Sequence, residues 1–146
     1  MKNLAIDVGN TLVKAAVFEQ ATLLNTYADS IENISLILRK ILIEHSQISH
    51  VIISSVVDNK DFLKKIPKKV QVLELTATTP VGFRNLYETP HTLGIDRIAL
   101  VSGAINEFAH ANVLVIDAGT CITYDMVTKN KEYLGGAISP GIHMRL

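Results

Sequence analysis

Ile6-Asp7-Val8-Gly9-Asn10-Thr11, with Lys14 three residues further on, is the stretch from which the rest of this 146-residue chain is read. A short apolar run (Leu4, Ala5, Ile6) ends in a carboxylate. A glycine follows two residues later, where a tight turn can use the positive φ that glycine enters without steric cost. Leu12, Val13, Ala15, Ala16, Val17 and Phe18 then form a second β-rich run. The pattern predicts a hairpin whose tip offers an Asp, an Asn, a Thr, a Lys and several free backbone N–H groups. A carboxylate is a hard oxygen ligand for hydrated Mg²⁺. N–H groups and hydroxyls cradle anionic oxygens, and a lysine adds a positive point charge. A metal–nucleotide phosphate suits such a tip. An ordinary surface turn, rich in Asp, Gly and Asn, has the same composition.

The pattern occurs twice. Val113-Leu114-Val115-Ile116-Asp117-Ala118-Gly119-Thr120 again runs from apolar residues through Asp, a small residue and Gly to a hydroxyl. A β-rich segment follows (Cys121, Ile122, Thr123, Tyr124). Asp7 and Asp117 therefore open two similar units, and an internal repeat of this kind predicts two similar lobes facing each other across a nucleotide. Between the copies lies Leu93-Gly94-Ile95-Asp96-Arg97, and after them Asp125 and Gly135-Gly136-Ala137-Ile138-Ser139-Pro140-Gly141.

Composition sets the outer bounds. Acidic and basic residues balance at 14 each, and 48% of the chain is hydrophobic, enough for one well-buried domain and short for two complete lobes. Zero net charge argues against a broad nucleic-acid surface. Lys64-Lys65 and Lys68-Lys69 read as a solvated loop face. Cys121 is the single cysteine, so no intramolecular disulfide can form and a reducing compartment fits. No signal-peptide or membrane-spanning stretch is evident, so a cytoplasmic protein with no membrane partner is expected. The five histidines show no metal-ligand spacing.

Taken in order, residues 3–8, 12–19 and 21–28 predict three antiparallel strands. Asp29 or Ser30 then caps a helix, with Glu32 closing a capping box on Asp29. Ile31, Ile34, Leu38, Ile41 and Leu42 recur at helical spacing, widened by Ile37, and the helix should end near His45 to Gln47. Val51-Ile52-Ile53-Ser54-Ser55-Val56 reads as a buried parallel strand. Asp58 or Asn59 should cap a short helix stopping before Pro67, and residues 70–75 predict another strand. Residues 76–93 form a long connection carrying Tyr87, of a length that tends to be functional. Tyr87 is equally readable as a half-buried aromatic.

Gly94 opens a helix to about Phe108, with Ile95, Ile98, Ala99, Ser102, Ile105 and Ala109 on its inner face. Asp96 sits in the first turn, where the positive helix end favours the ionised carboxylate that a catalytic base needs. Asp is also common in first turns for stability alone. Arg97 could fork onto a substrate carboxylate or form a surface ion pair. Residues 113–117, 120–127 and 132–138 predict the strands of the second unit. Asp125 could serve the site or cap a turn, and a helix should begin near Ile142.

These motifs together resemble the acetate kinase/sugar kinase/Hsp70/actin superfamily and, within it, type III pantothenate kinases. The resemblance covers nearly all of this chain and about the first half of a typical family member. It implies an α/β fold: a ribonuclease H-like (actin-like ATPase) lobe with a mixed five-stranded sheet over residues 1–110, and the opening strands of a second such lobe over 111–146. It implies transfer of the ATP γ-phosphoryl group to pantothenate, the first step toward coenzyme A. By resemblance Asp7, Val8, Gly9, Asn10, Thr11, Leu12, Val13 and Lys14, with Gly119 and Thr120 from the other lobe, would hold ATP phosphates, Asp7 also handling Mg²⁺. Asp96 would be the base, and Tyr87, Gly94, Ile95, Asp96 and Arg97 would line the pantothenate site. Asp117 would bind a monovalent cation, K⁺ or NH₄⁺. A homodimer is implied as well. A non-catalytic nucleotide-binding or regulatory protein, or a truncated inactive chain, is the alternative on the same fold. An actin-like assembly module and a phosphohydrolase are further options. Cys121 departs from the family, where Ala is common after the second Gly-Thr.

Overall fold

A computed structural model describes residues 1–58 and 61–145. The chain forms two compact units, Met1–Thr76 and Ala77–Leu146.

The first unit opens with β1 (Lys2–Val8), β2 (Leu12–Glu19) and β3 (Thr22–Ser30). Helix α1 (Ile34–Glu44), β4 (Ile48–Ser55) and β5 (Gln71–Glu74) follow. The five strands lie in the order β3-β2-β1-β4-β5. β1 and β2 pair antiparallel, as do β2 and β3, whereas β4 runs parallel to both β1 and β5. The mixed five-stranded sheet is the one the family resemblance implies for the first lobe. Alternation explains the core: Leu4, Ile6 and Val8 of β1 share one face with Val13, Ala15 and Val17 of β2 and with Val51 and Ile53 of β4. Ile37, Leu38 and Ile41 of α1 join these residues in a single apolar cluster with Phe62, Ile66 and Val70.

Three local expectations need correction. β3 continues through Asp29 and Ser30, a 3-10 turn spans Ile31–Asn33, and α1 begins only at Ile34. Asp29 accepts hydrogen bonds from the Ser30 N–H (2.7 Å) and the Asn33 side-chain amide (3.0 Å), so it braces the turn instead of closing a capping box. The short helix before Pro67 is a 3-10 turn, Asp61–Lys65; of its two proposed caps, Asn59 lies outside the described residues. Gly9 does not use positive φ: among the described glycines only Gly135 does, at 106°.

The second unit contains β6 (Arg84–Asn85), α2 (Ile95–Glu107), β7 (Val113–Ala118), β8 (Cys121–Val127) and β9 (Glu132–Pro140). Its sheet order is β6-β9-β8-β7, antiparallel except for β6, which pairs parallel to β9 inside the long predicted connection. The boundary of the units differs from the sequence division at residue 110. Helix α2 packs against β7 and β8, burying Arg97, Ile98 and Val101, so the Gly94–Arg97 motif belongs to the second unit. Val101 takes the inner place expected of Ser102, whose hydroxyl donates to the Ile98 carbonyl (2.8 Å), and Ala109 lies exposed beyond the helix. Near Ile142 the expected helix is a 3-10 turn, Ile142–Met144. Among the described residues no helix is long and apolar enough to cross a membrane.

Candidate functional site

The two hairpins share a layout, with the second turn one residue shorter than the first. Asp7 is the next-to-last residue of β1 and lies opposite Lys14 of β2; Asp117 is the next-to-last residue of β7 and lies opposite Thr123 of β8. The Gly9 N–H donates to the Leu12 carbonyl (2.9 Å), and the Gly119 N–H donates to the Cys121 carbonyl (2.9 Å). These bonds close the turns and occupy glycine N–H groups that the sequence left free for phosphate. A Cβ at Gly9 would stand 3.3 Å from the Leu12 carbonyl, which is why a small residue fits there. Asn10 and Thr11 remain exposed at the first tip. Val8 and Val13 are core residues on the face opposite Asp7, so they can offer a ligand only their main chain. Leu12 is half-exposed. In the second unit Gly141 closes on the turn: its N–H donates to the Thr120 carbonyl (3.0 Å), and any side chain there would run into the Gly119 and Thr120 carbonyls.

Each repeat aspartate has a hydroxyl as its neighbour on an adjoining strand. Ser54 lies opposite Asp7 across the parallel β1–β4 pair, just as Thr123 lies opposite Asp117. Ser54 and Thr123 are both buried, and neither hydroxyl has a hydrogen-bond partner among the described residues. An orphaned buried hydroxyl costs about 1–3 kcal/mol. Ser55, whose side chain points to the other face, is satisfied: it donates to the Val57 carbonyl (3.2 Å) and accepts from the Val57 N–H (3.3 Å).

The substrate motif gathers within the second unit. Asp96 accepts a hydrogen bond from the Arg97 N–H (2.9 Å) in the first turn of α2. Its carboxylate folds back over Gly94, where a Cβ would collide with it. Arg97 is buried and neither of the two sequence readings covers it fully. Its Nε donates to Asp125 Oδ1 (2.9 Å) and its Nη2 donates to the same oxygen (2.6 Å), while Tyr133 donates its hydroxyl there too (2.6 Å). Asp125 and Tyr133 are fully buried, each at 0% exposure. Burial pulls the Arg97 guanidinium down, and the Asp125 carboxylate more than offsets that, leaving it above its ordinary range and firmly cationic. Burial, reinforced by the same carboxylate, pushes the Tyr133 phenol well up.

Tyr87 lies over this pair, with the Arg97 guanidinium carbon 5.7 Å from its ring centre and the Tyr133 ring centre 6.2 Å away. The Gly135-Gly136 pair gives it room. A Cβ on Gly135 would stand 2.9 Å from the Tyr87 ring, and one on Gly136 would strike the Tyr124 carbonyl and approach Arg97 Nη2. The sequence brought Tyr87, Gly94, Ile95, Asp96 and Arg97 forward, and the fold collects them at one end of α2. It missed Tyr133 and the partnership of Asp125 with Arg97. The available signal was phase: Thr123, Asp125 and Val127 alternate on the inward face of β8, and a carboxylate there needs a buried cation.

Among the described residues no three His, Cys, Asp or Glu side chains gather as a metal cage. The arrangement fits Mg²⁺ that arrives with a nucleotide, a mode needing only one or two carboxylates beside phosphate oxygens.

Comparison with known proteins gives concordant results. The family model for type III pantothenate kinase matches residues 3–146. A type III pantothenate kinase of Christiangramia forsetii is 46% identical over 98% of this chain and 59% of its own length. One from Flavobacterium johnsoniae is 44% identical over 97% of this chain and again 59% of its own. The chain thus spans about three-fifths of the length of these relatives. Among solved structures, an activator of 2-hydroxyisocaproyl-CoA dehydratase from Clostridium difficile, with bound ADPNP, superposes over 96% of this chain and 46% of its own (TM-score 0.59, 11% identity). That likeness speaks for the ribonuclease H-like, actin-like ATPase fold alone.

Proposed function

Because the chain belongs to the type III pantothenate kinase family, we propose that it takes part in ATP-dependent phosphorylation of pantothenate to 4'-phosphopantothenate. The match of the family model across residues 3–146 is the observation that carries this reading. The Gly94–Arg97 cluster supports it chemically, since it sets a carboxylate at a helix start beside a buried cation.

Phosphoryl transfer rests mainly on positioning and charge neutralisation. Mg²⁺ would supply charge neutralisation at the β- and γ-phosphate oxygens. Asp7 would hold that ion directly or through water, and the hairpin from Val8 to Val13 would seat the phosphates, Gly9, Asn10 and Thr11 foremost. Lys14, beside Asp7 in the register, would add positive charge. Gly119 and Thr120, at the turn of the second hairpin, would also bind ATP phosphate oxygens. Asp96 would accept the proton of the pantothenate primary hydroxyl as the oxygen attacks the γ-phosphorus. Gly94, Ile95, Arg97 and Tyr87 would position pantothenate. Asp117 would take K⁺ or NH₄⁺. A cytoplasmic homodimer completes the proposal.

The test is ADP release from Mg-ATP in K⁺ buffer, with and without pantothenate. Pantothenate-dependent release, abolished in Asp96→Asn, is expected. Release that ignores pantothenate, or that survives Asp96→Asn, would overturn the assignment.

A further inference from the structure

Ser54 and Thr123 flank the two repeat carboxylates from different sides: Ser54 lies on β4, the parallel neighbour of Asp7, and Thr123 on β8, the hairpin partner of Asp117, where the first unit has Lys14. Each is buried, each carries a hydroxyl with no partner among the described residues, and each sits directly beside one of the two repeat carboxylates. Paired residues on adjoining strands share a face, with Cβ atoms roughly 5 Å apart, so rotation about the side-chain bonds brings hydroxyl and carboxylate within hydrogen-bonding reach.

The alternatives for each hydroxyl are few. β4 pairs with β5 only through Ile53, so Asp7 is the polar neighbour of Ser54 in the sheet. Thr123 has Ile138 on its other side. Asp125, two residues along the same face as Thr123, already receives Arg97 and Tyr133. We propose that Ser54 and Thr123 are positioning residues, each donating its hydroxyl to the neighbouring repeat carboxylate, Asp7 or Asp117, when that carboxylate takes its cation. Hydrogen bonds of this outer kind fix the orientation of a ligating carboxylate and hold it ionised. The inference rests on the proposed cation roles of Asp7 and Asp117.

The experiment uses Ser54→Ala and Thr123→Val, which remove a hydroxyl with little change of shape. Binding of Mg-AMPPNP is measured by calorimetry. Stabilisation by KCl over NaCl at equal ionic strength is measured by thermal unfolding. Without ligand both variants should melt at or above the temperature of the unaltered chain, because an orphan has been removed. Ser54→Ala should weaken Mg-AMPPNP about tenfold, and Thr123→Val should raise the K⁺ concentration for half-maximal stabilisation about tenfold. Ser55→Ala, which cuts the bond to Val57, should lower the melting temperature and leave nucleotide affinity unchanged. Each position stands or falls on its own arm: an unchanged affinity overturns it and leaves the hairpin reading intact. If the unaltered chain binds neither Mg-AMPPNP nor K⁺, the cation roles of Asp7 and Asp117 fall, and this proposal with them.

Discussion

Asp96 and Arg97 are consecutive residues with opposite surroundings. Asp96 stays at the half-exposed mouth of α2, while Arg97 turns inward to a carboxylate and a phenol. On its proposed role as the base acting on the reacting hydroxyl, Asp96→Asn should lower kcat by about 10²–10⁴-fold and leave Mg-nucleotide affinity close to unchanged. Steady-state kinetics with a parallel binding titration checks this. Arg97 and Asp125 act on stability as well. Removing one partner of a buried ion pair strands the other, at about 3–5 kcal/mol. Asp125→Ala should therefore shift urea unfolding strongly. Tyr133→Phe, which deletes a single hydrogen bond, should cost about 1–2 kcal/mol. The residue scale was half legible: Asp96 and Gly94 follow from motif and spacing. Arg97 gave no clue to its partner, because Asp125 lies 28 positions away in sequence and meets it only through the packing of α2 on β8.

At the scale of elements, β9 depends on its glycines. Gly136 has no space for a Cβ against the Tyr124 carbonyl of β8, and Gly135 sits at positive φ under Tyr87. Gly136→Ala should part β8 from β9, visible as faster amide exchange along both strands. In the first unit Tyr27 joins β3 to the end of α1, donating its hydroxyl to Glu44 (2.7 Å) with His45 Nε2 at 2.9 Å. Burial, then the Glu44 bond, pushes its pKa up to about 12 from 10.0. The folded state thus prefers the neutral phenol. Its contribution is complete below pH 10.0 and is lost as pH rises toward about 12. Unfolding free energy should fall across that window, less steeply in Tyr27→Phe. Strands and helices were legible because alternation and helical spacing state burial directly. Turns were less so: the capping-box pattern at Asp29 is overridden by two further residues of pairing with β2. The two-residue β6 lies within a segment that carries no periodic signal.

For the molecule as a whole, the repeat of Asp7 and Asp117 was visible in sequence and reappears as two hairpins, each with its Asp next to last in the first strand, the second turn being one residue shorter. The unit boundary was not, because α2 separates the two copies and could belong to either. Only its contact with β7 and β8 assigns it. The strands of the first sheet were legible from pattern, β4 as a continuous apolar run, whereas their order came from the family resemblance. In the proposed reaction the γ-phosphoryl group passes from ATP to the primary hydroxyl of pantothenate. The most direct measurement is the identity of the phosphorylated product, by mass spectrometry after incubation with Mg-ATP labelled with ¹⁸O in the γ-phosphoryl group. The expected product is 4'-phosphopantothenate carrying the label, formed in proportion to the ADP released. Label recovered as inorganic phosphate, with pantothenate unmodified, would contradict it.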